Sequence, residues 1–145
     1  MDGGGVLIAV LRNIPSARVE RWESNCEDLW VSVQTKIAIC AVYLPSPVKS
    51  DTLTYFLDKV DNITNQPNNV LIMGNFNLGF INWSRDHIAQ MVPSNYNSTL
   101  GCGLVDFMYL NNFSQFNNIP NSDARYLDLI MSNFPGVDVS EPLEL

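Results

Sequence analysis

The run Val70-Leu71-Ile72-Met73, closed by Gly74-Asn75-Phe76-Asn77, limits most tightly what this chain can fold into. Four consecutive apolar residues predict a strand buried on both faces, because a strand with one wet face alternates apolar and polar positions. Gly74 interrupts the run and two asparagines bracket Phe76, so the strand ends by presenting polar side chains. Residues 78–83 beyond it have no strong period, which suits a functional loop. An ordinary strand-to-loop transition reads the same way, and the rest of the chain must supply the context.

A buried strand needs neighbours, and several are legible. Gly3-Gly4-Gly5 leads into the apolar run 6–11, and residues 37–43 form another of strand length. A phosphate-cradling loop is excluded at the glycines, since it needs a strand before them and a helix opening with Lys-Ser/Thr after them. Residues 17–22 and 29–33 alternate, as half-buried antiparallel strands do. Gln34-Thr35-Lys36 makes a tight connection into strand 37–43. That strand must stop at Leu44-Pro45-Ser46-Pro47, because proline has no N–H for the ladder. Tyr43 therefore stands at a strand end beside a rigid turn, its hydroxyl facing either a cleft or the edge of the core.

Ser50-Asp51 offers a helix N-cap, and Leu53, Phe56, Leu57, Val60 and Ile63 then recur at steps of three and four. Residues 65–69, with Pro67, read as a loop. Strand, helix and strand in that order predict a crossover unit in an α and β sandwich. Residues 78–96 read as a long irregular segment holding Trp83, Arg85, Asp86 and His87, the single histidine, which is either an acid–base group beside Asp86 or simply solvated. Leu100, Leu104, Val105, Phe107, Met108 and Leu110 predict a second helix, although Gly101 and Gly103 each weaken it by up to about 1 kcal/mol. Residues 113–116 suit a short strand and 117–123 a turn-rich link. In 125–132, Asp128 sits among strand-forming apolar neighbours. A carboxylate buried there would need a partner, and Arg125 is the nearest candidate.

With 145 residues and 46% hydrophobic content, the chain amounts to one globular domain with a substantial core. The net charge of −7, with only eight Lys and Arg, argues against a broadly basic nucleic-acid surface and leaves room only for a local site. Cys26, Cys40 and Cys102 lack metal-ligand spacing, which argues against a zinc site. Unpaired thiols and the lack of a charged-then-apolar leader point to an intracellular setting, cytoplasmic or nuclear. No apolar run approaches the roughly 18 residues of a membrane span.

Four pieces stand in order: a Gly-led apolar strand, Val42-Tyr43-Leu44-Pro45, Gly74-Asn75-Phe76-Asn77, and Leu127-Asp128-Leu129-Ile130-Met131-Ser132. In this the chain resembles the endonuclease/exonuclease/phosphatase superfamily, in particular the apurinic-type endonuclease domain of non-LTR retrotransposons. Asn82-Trp83, Phe113-Ser114-Gln115 and residues 125–133 are similar to the retrotransposon version rather than to a repair enzyme. The resemblance spans nearly the whole chain. It implies an α/β (α+β) fold, a four-layered sandwich of two packed mixed sheets flanked by helices. It also implies hydrolysis of phosphodiester bonds in DNA with Mg2+ or Mn2+. By the same resemblance Tyr43 would contact phosphate, and Asn77 would help hold the transition-state phosphate. Asn75 would occupy the place of the aspartate that activates water, and Asp128 that of the acid orienting a catalytic histidine.

The departures carry equal weight. An amide at Asn75 brings no charge and takes no proton, and a positioned base contributes on the order of 10² to 10⁴ in rate. The family's early Asn and its metal-binding Glu precede the Gly-led strand, and its closing Asp-His pair follows, both outside these residues. His87 is out of place for that histidine. The expectation is thus a retrotransposon-derived, endonuclease-like domain, incomplete at both ends and catalytically impaired, with Mg2+ or Mn2+ weak or absent. Decay and a deliberate Asp-to-Asn exchange both account for Asn75. The alternative is a non-enzymatic interaction module that meets a protein partner, or a second copy, through an open sheet edge.

Overall fold

The computed structural model describes residues 5–65 and 69–142. In chain order it contains β1 (Ser16–Arg18), a single 3-10 turn (Glu20–Trp22), β2 (Glu27–Val33), β3 (Ile37–Tyr43), α1 (Ser50–Thr64) and β4 (Asn69–Asn75). These are followed by β5 (Asn82–Arg85), β6 (Met91–Ser94), α2 (Thr99–Leu110), β7 (Ser114–Gln115) and β8 (Asp128–Ser132). Six strands form one mixed sheet in the order β1-β2-β3-β4-β8-β7, and β5 pairs with β6 in a separate ribbon. Only β3 and β4 run parallel, joined through α1 as the strand–helix–strand order predicts. The α+β class read from the sequence is the observed one.

Alternation explains which face each strand buries. Ala38, Cys40 and Val42 of β3 pack with Val70 and Ile72 of β4 and Leu129 and Met131 of β8 in one core cluster. Both helices join that cluster, α1 with the five residues its periodicity predicts and α2 with Leu104, Phe107 and Met108. The helices therefore cover one face of the sheet. On the other face Leu71 and Met73 remain partly exposed, so β4 is fully buried on one side only. Trp30 and Phe56 fill the centre of the core, and Phe76 meets Phe56 edge to face at 6.2 Å.

Local chemistry sets the element ends, with some departures from the sequence expectation. The β2–β3 turn is closed by Lys36 N–H donating to Val33 O at 3.0 Å, with Gln34 and Thr35 both left-handed at φ 52° and 54°. Lys49 occupies the N-cap of α1 without a side-chain cap, so Ser50 opens the helix instead of capping it. At α2, Ser98 Oγ accepts from Gly101 N–H at 3.1 Å. Residues 66–68, within the expected loop 65–69, lie outside the described residues.

Residues 6–11 join no ladder despite their apolar run. Among the described residues no strand pairs with them, and Leu7 and Leu11 are exposed while Val6, Ile8 and Val10 are partly buried. Glu20–Trp22 closes as a 3-10 turn where a strand was expected. The expected irregular segment 78–96 holds the β5–β6 hairpin, because Asp86 Oδ1 accepts from Ile88 and Gln90 N–H at 2.9 Å and folds the chain back on itself.

Candidate functional site

Strand register assembles one row of side chains. Glu27 is opposite Tyr43, Tyr43 opposite Asn75, and Asn75 opposite Asp128, across β2, β3, β4 and β8. Paired positions share a face, and neighbouring strands lie about 4.8 Å apart, so the row runs roughly 14 Å across the sheet. It lies on the face away from the helices and at the carboxyl ends of the parallel pair β3 and β4. Open sheets characteristically place ligands there.

Gly74 makes the row possible. A Cβ at this position would overlap the carbonyl oxygen of Val42, so only glycine lets β3 and β4 approach closely enough to set Tyr43 beside Asn75. The ladder continues past the row: Leu44 N–H donates to Asn75 O at 2.9 Å, and Phe76 N–H donates to Leu127 O at 2.8 Å. Phe76, fully buried, anchors the strand end in the core between the two asparagines.

The asparagines hold each other. Asn75 Oδ1 accepts from Asn77 N–H at 2.9 Å, which turns the Asn75 NH2 outward as a donor. Asn77 adopts φ 50°, a left-handed conformation that asparagine tolerates, and its Nδ2 donates to Leu44 O at 2.6 Å. The strand end of β3 and the turn after β4 are thereby tied together.

Asp128 differs from its sequence expectation. It is exposed at the start of β8, where water solvates the carboxylate, and among the described residues it forms no ion pair with Arg125. Its main-chain oxygen accepts from Asn117 Nδ2 at 2.7 Å, which fixes the strand's beginning. Asp128 and Arg125 both line a groove of about 320 Å3. The Arg125 stem lies against Gly79, two residues beyond Asn77, where a Cβ would stand 3.2 Å from Arg125 Cδ. His87 lies exposed in the hairpin turn, on a different element from Asp128.

Tyr43, Asn75, Asn77 and Asp128, the four residues singled out from the sequence, are thus brought to one end of the sheet. Glu27 and Arg125 were missed. Glu27 was within reach: counting outward from the Gln34-Thr35 turn pairs it with Tyr43. Arg125 was read from the sequence only as an ion-pair partner for Asp128, since its position depends on packing against Gly79.

The row supplies a phenol and an amide donor, groups that hydrogen-bond an oxyanion, between the carboxylates Glu27 and Asp128, with Arg125 lining the same groove as Asp128. A Mg2+ or Mn2+ cage of protein carboxylates is a different matter. Such a cation draws its oxygens to about 2.0–2.1 Å, whereas Glu27 and Asp128 stand at opposite ends of the row with two strands between them. Among the described residues no three His, Cys, Asp or Glu side chains gather as a metal site, so the donor set here does not fit an all-protein cage. Thiol chemistry also falls outside the row. Burial raises the thiol pKa of Cys40 well above its ordinary value and that of Cys26 above it, which disfavours the nucleophilic thiolate at both.

The fold and the row define an α+β protein with a line of polar side chains at the carboxyl ends of a parallel strand pair. No protein-family model and no curated protein sequence matches the chain. Among the described residues no helix is long and apolar enough to cross a membrane.

Proposed function

We propose that the chain is an endonuclease-like domain, related by resemblance to the metal-dependent endonucleases of non-LTR retrotransposons and impaired in catalysis. One observation carries this reading: register sets Tyr43, Asn75 and Asp128 side by side, with Asn77 bound to Asn75. The four motif positions that the resemblance assigns to phosphate contact, water activation and histidine orientation lie together at one end of the sheet. A phosphodiester lying across the row would accept hydrogen bonds from the Tyr43 hydroxyl and the Asn75 NH2, with Arg125 offsetting its charge. Mg2+ or Mn2+, which the resemblance implies, would polarise the phosphoryl oxygen when bound.

The impairment follows from Asn75. Its Oδ1 is occupied by Asn77 N–H and its amide takes no proton, so water opposite the phosphorus has no base at this position. An aspartate there would accept the same N–H with one oxygen and leave the other free. Nicking of supercoiled plasmid in Mg2+ tests the reading. The unmodified chain is expected to nick near background, and Asn75→Asp to raise the rate by about 10² or more. Robust Mg2+-dependent turnover by the unmodified chain would overturn it. The charge of −7 predicts weak duplex binding, weakened further by Arg125→Ala.

A second reading, a non-enzymatic interaction module, is favoured by one further observation. β1 is an exposed edge strand, preceded by the unladdered apolar residues 6–11 with Leu7 81% and Leu11 71% exposed.

A further inference from the structure

We infer that the groove between α1 and α2 docks a cationic amphipathic segment of a partner protein. This surface lies on the helix layer, on the opposite side of the sheet from the polar row, and the inference is independent of the nuclease reading. The groove, of about 250 Å3, has Leu57 and Phe107 at its base and the exposed Leu110 at its rim, and carries Asp58, Asp61 and Asp106. Helical spacing produces it: Leu57 and Asp61 are one turn apart on α1, as are Asp106 and Leu110 on α2.

The composition of α2 shows the same surface from the other side. Asp106 is its one charged residue, and Tyr109 and Leu110 are 71% and 82% exposed. A helix this apolar is ordinarily buried all round. An added Cβ at Gly103 would meet no atom within 4 Å, so nothing in this chain's packing requires glycine there. Its missing side chain leaves the groove open.

Electrostatics selects the occupant. Thr64 Oγ1 donates to Asn111 Oδ1 at 2.8 Å, which ties the C-terminus of α1 to that of α2. The negative ends of two helix dipoles therefore converge beside three carboxylates, and neither helix carries a basic residue in its last turn. Asp61 lies within the last turn of α1, where the dipole disfavours an acid. Among the described residues none of the three carboxylates has an ion-pair partner. Lys59, the one basic residue of either helix, donates instead to Arg21 O at 3.3 Å. An apolar floor with uncompensated negative charge complements a segment that presents leucine-like side chains flanked by Lys or Arg.

The test measures fluorescence anisotropy of a labelled peptide of roughly 18 residues, with Leu and Lys at helical spacing, against the full chain. Binding is expected for this peptide and not for its Glu-for-Lys counterpart. Asp58→Asn, Asp61→Asn and Asp106→Asn combined should weaken it at least about tenfold. The same charge change at Asp86, Asp123 and Asp138 should leave it within about twofold. Gly103→Gln keeps the charge and the fold, checked by circular dichroism, and should weaken binding by filling the groove. Equal losses in the two triple variants would reduce the effect to net charge and overturn the inference. So would undiminished binding by Gly103→Gln, or a stable dimer through Tyr109 and Leu110 that the Lys peptide does not displace.

Discussion

Gly74 and Asn75 are adjacent yet constrained by different physics. Gly74 is fixed by backbone contact: the Val42 carbonyl occupies the space any Cβ would need. Gly74→Ala is expected to cost at least about 2 kcal/mol in urea unfolding, because strand separation is the only relief. Asn75 is fixed by its chemistry toward Asn77. The isosteric Asn75→Asp exchange should therefore leave stability within about 1 kcal/mol even as it tests catalysis. A large loss of stability in Asn75→Asp would show that this position is structural. The sequence marks both residues as unusual without separating these roles, since the clash at Gly74 involves a strand more than 30 residues earlier.

Among the elements, α1 and β3 were the most legible and the segment 78–96 the least. The buried set of α1 follows from its period, and β3 has the bounds that its apolar run and following prolines predict. The β5–β6 hairpin escaped detection because its strands are four residues each and its turn depends on the Asp86 side chain. The cap of α2 was not read from the sequence. Ser98→Ala removes the acceptor for Gly101 N–H and should cost about 1 kcal/mol by thermal or urea unfolding. At the sheet edge, Arg18 of β1 makes a bidentate pair with Glu23, at 2.9 Å and 2.8 Å. The hydrogen bond from Arg18 holds the Glu23 carboxyl below its ordinary 4.5, with the desolvation of partial burial opposing the shift. A depressed folded-state pKa makes the contribution complete above about 4.5 and lost as pH falls through the folded value. Glu23→Gln should thus flatten the acid side of the stability profile slightly and leave its shape at neutral pH unchanged, as pH-dependent urea titrations would show.

At the scale of the whole molecule, one sheet face is covered by helices and the other carries the polar row with half-exposed Leu71 and Met73. Residues 6–11, with Leu7 and Leu11 exposed and no ladder partner among the described residues, continue that incompleteness, and an unpaired apolar run favours association with another strand. Sedimentation velocity over a concentration series is expected to show self-association that Leu7→Lys with Leu11→Lys abolishes. A monomer at all concentrations, unchanged by these substitutions, would count against the interaction reading.

The sequence by itself determined which side of α1, β2 and β3 is apolar, and hence the class of fold and much of the core. Periodicity reports burial directly, because 3.6- and 2-residue repeats place like residues on one face. It also marked Tyr43, Asn75, Asn77 and Asp128. Only the tertiary structure decided that β8 lies antiparallel beside β4, which sets Asp128 next to Asn75, and that Arg125 rests on Gly79. It also decided that residues 6–11 gain no strand partner among the described residues. Pairing depends on what lies across a gap in space, and local pattern carries no record of a neighbour contributed by a distant part of the chain.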